Sequence, residues 1–205
     1  MLDIKEIKKY ISDKKITSTN IIKYFFKNYV SSTNDYIKFK YIRDCCPVLI
    51  LTNHQRRPRG RMGRIWINYS HHSLAFSLCI KINKNLYESN ELSRIVAITV
   101  KDVFQSLGGS DLIIKWPNDI FCSGKKVCGI LIENMIIDKK NFYSIIGIGI
   151  NLTIPKNYLE KITDKAGNLN IRDNNKNILI AEITGELIKN IKEYENDKEL
   201  LKILP

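Results

Sequence analysis

The chain has 205 residues, 44% of them apolar and 26% charged, with 33 Lys and Arg against 21 Asp and Glu for a net charge of +12. At about this size a chain buries roughly 70% of its unfolded surface, so one domain with an ordinary core is expected without disulfides or a structural metal. Composition excludes collagen-like, coiled-coil and wholly disordered classes, while +12 admits a nucleic acid or an anionic surface as partner.

Ile4, Ile7 and Ile11 recur at helical spacing with charge between them, which predicts an amphipathic helix over 3–13. The N-terminus is charged from its start and lacks the apolar stretch of a secretory signal, so it is expected to be mature protein. Residues 21–30 are rich in aromatic and β-branched side chains and predict a strand. Ser31-Ser-Thr-Asn-Asp then offers several N-cap oxygens ahead of a helix over 34–43. A strand over 48–53 is followed by a loop, 54–64, with two Gly, one Pro and five Arg. After Trp66, the alternation of Leu74, Phe76, Leu78 and Ile80 with small or polar residues predicts a strand, and 90–107 a helix ending at Gly108-Gly109. A strand over 111–115, the break Trp116-Pro-Asn-Asp, a strand over 119–122 and the turn Ser123-Gly124-Lys125 come next. Apolar strands are expected over 126–136 and 142–153, loop over 156–177 with a mobile Asn-rich part at 168–177, and a last amphipathic helix over 178–203. The longest uncharged stretch, 141–155, is shorter than the roughly 20 apolar residues that span a bilayer, so no membrane helix is expected. Hairpins interspersed with helices predict an α+β domain with a mixed, largely antiparallel sheet flanked by helices, over residues 1–205.

The cysteines are odd in number and contain neither a CxxC pair nor a His at ligand spacing, which fits a reducing, cytoplasmic setting. Cys122 and Cys128 flank a turn and could face each other, but small buried apolar roles are expected for them.

The charge has two origins. Ile occurs 35 times, Lys 25 and Asn 20, against 4 Ala and 8 Arg, the mark of an AT-rich coding sequence that fills surface positions with Lys. Against that background all five basic residues from Arg56 to Arg64 are Arg, a draw expected about once in four thousand. The guanidinium fork is selected there, and bidentate recognition of phosphate or carboxylate is the usual reason. Gly60 and Gly63 let Arg59-Gly-Arg-Met-Gly-Arg fold closely over an anion. A nucleic-acid binder would show further Arg and aromatic clusters, and Arg43, Arg94 and Arg172 are scattered.

Lys115-Trp-Pro-Asn-Asp119 leaves a strand at Pro117 and presents an amide and a carboxylate, which suits a Mg²⁺ ligand, a group orienting an amine, or simply a capped turn. Lys126 opens the next strand, where its ammonium can reach back over the same place, and Gly129 marks a close approach. Gly147-Ile-Gly149-Ile-Asn151 repeats the pattern.

Together these motifs resemble those of biotin protein ligases, in order and from about residue 24 to about 203. The resemblance implies a class II aminoacyl-tRNA-synthetase-like catalytic domain. Its reaction joins biotin and ATP into biotinyl-5′-adenylate, with Mg²⁺, and then passes biotin to a lysine of a biotin carboxyl carrier protein. Residue by residue it implies biotin contacts from Ser32, Thr33, Asn34, Gln55, Arg59, Gly60, Arg61, Lys126, Gly129 and Trp66. It implies nucleotide contacts from Arg59, Arg61, Lys115, Asn118 and Asn151, chemistry at Lys126, Arg61 and Asp119, and Mg²⁺ at Asp119. Ser18-Thr19-Asn20 duplicates the Ser32-Thr33-Asn34 motif but lies too far from the Arg loop and is set aside as a decoy.

The chain departs from the family pattern at Pro58, where Gly is usual, at Met62, where Arg is frequent, and after Trp66. There the usual SPxGxNL reads Asn68-Tyr-Ser-His-His-Ser-Leu74. Neither the N-terminal helix-turn-helix nor the small C-terminal SH3-like barrel of some members is expected, so DNA and membrane are not expected partners; a homodimer stays open. The alternatives are a lipoate or octanoate ligase or transferase of the same superfamily, whose Gly-Gly-Gly run after an Arg pair is missing here, and a basic non-enzymatic nucleic-acid binder.

Overall fold

The computed structural model describes residues 2–13, 22–41, 47–162 and 165–197. Segments dense in Ile, Leu, Val and Phe form a seven-stranded sheet: β1 (Lys23–Val30), β2 (Val48–Gln55), β3 (Ser73–Ile82), β4 (Leu112–Lys115), β5 (Asp119–Cys122), β6 (Lys125–Asp138) and β7 (Asn141–Asn151). Their order is β1-β2-β3-β7-β6-β5-β4, with β1 and β2 parallel and every other neighbouring pair antiparallel. The expected mixed, largely antiparallel α+β sheet is therefore present.

Side chains alternate across a strand, and here the alternation separates large from small residues. One face carries Leu49, Leu51, Leu74, Phe76, Leu78, Ile146, Ile148 and Ile150, packed in one core with α1 (Ile4–Asp13), α4 (Glu91–Ser106) and α6 (Lys176–Asn196). Phe76 and Phe104 are fully buried there, each contributing about 1.5–3 kcal/mol of apolar transfer. The opposite face holds Ile37 of α2 (Thr33–Lys40) against Val48, Ile50, Cys79 and Ile145. Beyond that cluster it carries Ser77, Gly147, Gly149 and Gly129, which are too small to fill it. The hollow that results is the candidate site.

Several expectations are corrected. α2 ends at Lys40, short of 43, and its N-cap Ser32 makes no side-chain cap bond. β2 and β3 are longer than expected, and α3 (Lys84–Glu88), with Asn83 accepting from the Leu86 N–H at 2.9 Å, was not foreseen. The loop expected over 156–177 contains α5 (Lys156–Ile162), an exposed turn of helix whose Tyr158 ring rests on Tyr69. The Asn-rich part is anchored, because Leu169 and Ile171 are buried and its amides replace ladder and cap bonds. Asn168 both accepts from the Ile154 N–H and donates to its carbonyl, at 3.0 and 2.9 Å, and Asn175 caps α6. Cys122 lies opposite Lys125 and Cys128 opposite Ile120, so the two thiols do not face each other, and both are free and buried. The decoy Ser18-Thr19-Asn20, Arg43, Cys45-Cys46 and the end of the last predicted helix lie outside the described residues.

Candidate active site

Two side chains occupy the hollow because glycine leaves room for them. A Cβ at Gly149 would fall 2.5 Å from Trp66 Nε1, and one at Gly129 would fall 2.9 Å from Trp66 Cζ3. These two glycines pair across β6 and β7, so the indole lies over a strip of bare backbone. A Cβ at Gly147 would overlap Asn34 Oδ1, which fixes where α2 delivers its first turn. Around them opens a cleft of about 340 Å³, within the range of small-molecule sites.

The inner end of the cleft is polar and almost fully buried. Ser77 Oγ, wholly buried, lies 2.6 Å from both Thr33 Oγ1 and Asn34 Oδ1. Thr33 donates from its backbone N–H to Gln55 Oε1 at 2.9 Å, and its hydroxyl lies 3.2 Å from the same oxygen. Asn34 donates onward to the Leu131 carbonyl and to Glu133 Oε2, at 3.3 and 2.8 Å. Burial of so many polar groups is costly unless each is paired, and a polar ligand is the natural occupant of such an end.

The arginine loop forms a small hairpin over the cleft. Gly60 N–H donates to the Arg64 carbonyl at 2.7 Å, Trp66 N–H to the Pro58 carbonyl at 3.3 Å, and a short 3₁₀ turn covers Arg61–Gly63. Met62 and Gly63 both take positive φ there, +55° and +74°. Arg59, Arg61 and Arg64 line the cleft. Arg56 and Arg57 are exposed and face away from it, the former with its guanidinium over Tyr29 at 5.9 Å. Arg59 lines the cleft and also grips Asp35 and Glu133. Burial alone would lower its pKa, but hydrogen bonds to Asp35 and then Glu133 outweigh this and raise it. Arg61 donates to Asn118 Oδ1 at 3.1 Å, bridging the loop to the far wall.

Across the cleft, β4 ends at Lys115, the Trp116–Pro117 bond is cis, and Asn118 and Asp119 line the wall. Lys126 Nζ lies 2.7 Å from Asp119 Oδ2 and 5.8 Å from the centre of the Trp66 ring, so the ammonium is held between a carboxylate and a π face. Its backbone is pinned on both sides, N–H to the Lys165 carbonyl at 2.6 Å and carbonyl to the Gly167 N–H at 2.9 Å. Asp119 also accepts from Asn118 Nδ2 at 2.9 Å. Among the described residues no group of three or more His, Cys, Asp or Glu is placed to hold a metal ion.

The structure thus brings Ser32, Thr33, Asn34, Gln55, Arg59, Gly60, Arg61, Trp66, Asn118, Asp119, Lys126 and Gly129 to one cleft. Two expected nucleotide residues lie off its lining. Lys115 is exposed with its ammonium 5.6 Å over Phe121, and Asn151 is buried past the end of the cleft, donating to the Gly167 carbonyl while its Oδ1 has no partner. Ser77, Asp35 and Glu133 were missed. Only the small residue in the β3 alternation could have marked Ser77; Glu133 closes the motif that Lys126 opens and Asp35 the run that Ser31 opens, but neither motif points to Arg59 as a partner.

The departure after Trp66 is explained by geometry. His71, which stands where SPxGxNL has Gly, takes φ +68°, so the backbone keeps a glycine-like turn. Asn68 stands at the Ser position and Ser73 at the Asn position, and Ser73 Oγ donates to Asn68 Oδ1 at 2.7 Å. The pair has exchanged its members. Lys176 Nζ closes the turn through the His71 and Ser73 carbonyls, at 2.8 and 3.1 Å, and burial lowers its pKa.

Comparison with known proteins agrees with this geometry. The profile of the Biotin/lipoate A/B protein ligase family matches residues 27–151, more than half of the chain. The bifunctional ligase/repressor BirA of Bacillus subtilis is 33% identical over 122 residues, 59% of this chain and 38% of that protein. The biotin–[acetyl-CoA-carboxylase] ligase of Paracoccus denitrificans is 32% identical over 105 residues, 50% of this chain and 43% of that one. The chain therefore covers about two fifths of the length of these relatives. A biotin protein ligase from Aquifex aeolicus, solved with biotin and ATP, superposes with a TM-score of 0.68 at 26% identity, over 88% of this chain and 76% of that one. The fold is that of the class II aminoacyl-tRNA-synthetase-like ligases, and the chain belongs to the biotin/lipoate A/B protein ligase family, where its relatives are biotin protein ligases.

Proposed function

We propose that the chain joins biotin to ATP as biotinyl-5′-adenylate and transfers the biotinyl group to a lysine of a biotin carboxyl carrier protein. The observation that carries this reading is the buried polar end of the cleft, Ser32, Thr33, Asn34 and Gln55 backed by Ser77, next to a Trp66 wall. An ureido ring offers both donors and acceptors to such an end. The methyl end of octanoate or the ring of lipoate offers nothing to these groups beyond the bonds they already make to one another, and would cover their remaining donors and acceptors without a partner. With the ring there, the aliphatic tail runs along Trp66 and brings the carboxylate towards Lys126.

In the first step a carboxylate oxygen attacks the α-phosphorus, the bond to the β-phosphate oxygen breaks, and pyrophosphate leaves. Negative charge builds on phosphate oxygens, where Lys126 and Arg61 supply cations already held in place by Asp119 and Asn118. In the second step the acceptor amine attacks the acyl carbon and AMP leaves with the C–O bonding pair. Asp119, the one acidic residue among those lining the cleft, is placed to orient that amine and take its proton. Mg²⁺ comes with the nucleotide, since one carboxylate plus phosphate oxygens is its usual setting, and its chemistry is to offset phosphate charge. The ATP chemistry and the free thiols of Cys122 and Cys128 suit the cytoplasm. A nucleic-acid role is disfavoured, because Arg59 and Arg61 are turned inward onto carboxylates and an amide.

Incubation with biotin, ATP, Mg²⁺ and a biotin carboxyl carrier domain is expected to label one lysine of that domain, and lipoate is expected not to compete. Failure to form adenylate with biotin, or faster turnover with lipoate or octanoate, would overturn the reading.

A further inference from the structure

We propose that Asp35 and Glu133 are positioning residues that hold the arginine loop over the cleft through Arg59, and that Glu133 ties this closure to the polar end of the cleft. The inference rests on the reading of the cleft as a biotin and adenylate site. Three elements distant in sequence meet here: Asp35 on α2, Arg59 in the loop and Glu133 on β6. The guanidinium takes Asp35 with two nitrogens, Nε at 3.3 Å and Nη2 at 2.5 Å, and the same Nη2 lies 3.1 Å from each oxygen of Glu133. The tip of the hairpin has one other tie, Arg61 to Asn118, and is otherwise open, with Met62 and Ile65 91% and 77% exposed. A fork between two carboxylates is geometry that only arginine provides, and without it the acids would repel each other.

Glu133 has a second partner. Its Oε2 accepts from Asn34 Nδ2, Asn34 Oδ1 accepts from the Ser77 hydroxyl, Ser77 Oγ lies 2.6 Å from Thr33 Oγ1, and the Thr33 backbone N–H donates to Gln55 Oε1. An unbroken relay therefore runs from the groups expected to hold the ureido ring to the carboxylate that holds the loop. A ligand that engages Asn34 or Thr33 re-forms the bonds at one end of this relay, and the hold on Arg59 is at the other.

The test uses the full chain with Asp35→Asn, Glu133→Gln, Arg59→Ala and Arg59→Lys. Without ligand, trypsin cleavage after Arg61 and Arg64 is followed by mass spectrometry at low and high salt. Wild type is expected to be cleaved slowly at low salt and faster at high salt, because screening weakens a part-exposed ion pair. Asp35→Asn and Glu133→Gln are expected to be cleaved about tenfold faster at low salt with little further response to salt, and Arg59→Lys only partly to restore what Arg59→Ala loses. With ligand, the same acid variants are expected to raise KM for biotin and the release rate of preformed adenylate about tenfold, with kcat for adenylation changed less than about threefold. A wild type that makes no adenylate refutes the reading of the cleft, while the trypsin arm still tests the latch. A wild type that makes adenylate alongside variants unchanged in cleavage, salt response and KM refutes the latch. If Glu133→Gln does not accumulate, Asp35→Asn, which alters one part-exposed carboxylate, decides the same question.

Discussion

Gly149→Ala is the most direct test of how the cleft is built. The new Cβ would lie 2.5 Å from Trp66 Nε1 and 2.9 Å from Cζ2, and its nearest other contact, Cε2, belongs to the same ring. Ordinary separations are about 3.5–4.0 Å, so the indole must move by about 1 Å. It cannot move into the sheet, where Gly129 of β6 already supports it, so it moves into the cleft. Overpacking costs about 1–3 kcal/mol, and the low end is expected because the ring can yield towards open space. The functional cost is larger, since a 1 Å misplacement at a reacting site can cost about 100-fold. Thermal melting, calorimetric titration with biotin and pyrophosphate exchange are the assays. Gly124→Ala is the control: it has φ +74° and nothing within 4 Å, so it costs about 1 kcal/mol of backbone strain with the cleft untouched. The expected result is two variants of similar stability, of which only Gly149→Ala loses biotin binding. Wild-type affinity in Gly149→Ala would refute the account of the glycine strip as the seat of Trp66.

Lys126→Ala is expected to slow adenylate formation about 100- to 1000-fold by single-turnover assay with the melting temperature little changed, because it removes the cation nearest Asp119 and Trp66. Arg61→Gly removes the bridge to Asn118 and is expected to let adenylate escape into solution, detected as labelling of lysines on bystander proteins. Asn68→Ser and Ser73→Asn are each expected to cost about 1 kcal/mol by breaking a buried hydrogen bond, and the double exchange to recover most of it in a double-mutant cycle. Burial pushes the Cys128 thiol well above its ordinary value of 9.0, with Lys126 opposing and Asp119 adding to the shift. The folded state therefore keeps its proton more tightly than the unfolded state. The resulting stability is whole below pH 9.0 and is lost as pH rises above it; native protein at pH 8 should leave Cys128 unalkylated by mass spectrometry.

Much of the fold follows from local pattern. Leu74, Phe76, Leu78 and Ile80 announce β3 by alternation, and the run around Ile95 to Phe104 announces α4, because burial of one face imposes a period wherever the backbone is regular. α5 and the Asn-rich segment are misread for the converse reason. α5 buries no side chain and so has no apolar period, and Asn168 and Asn175 are held by hydrogen bonds that leave no hydrophobic trace.

For the site, the sequence alone determines which chemical groups are present. The Arg cluster stands out from a Lys-rich background, and the ordered motifs around Lys126 and Ser32-Thr33-Asn34 limit the reaction class. What those groups do to one another is decided only in three dimensions. Arg59 lies 24 residues from Asp35 and 74 from Glu133, and no spacing rule connects them. Gly129, Gly149 and Trp66 meet because β6 and β7 pair in one register, and a glycine's meaning depends on what approaches it. Even the loop's charge changes character on folding. Of its five arginines, Arg59 is neutralised by two carboxylates, Arg61 is tied to an amide, Arg64 lines the cleft and two face outward, so the positive potential at the cleft is set by contacts that composition cannot express.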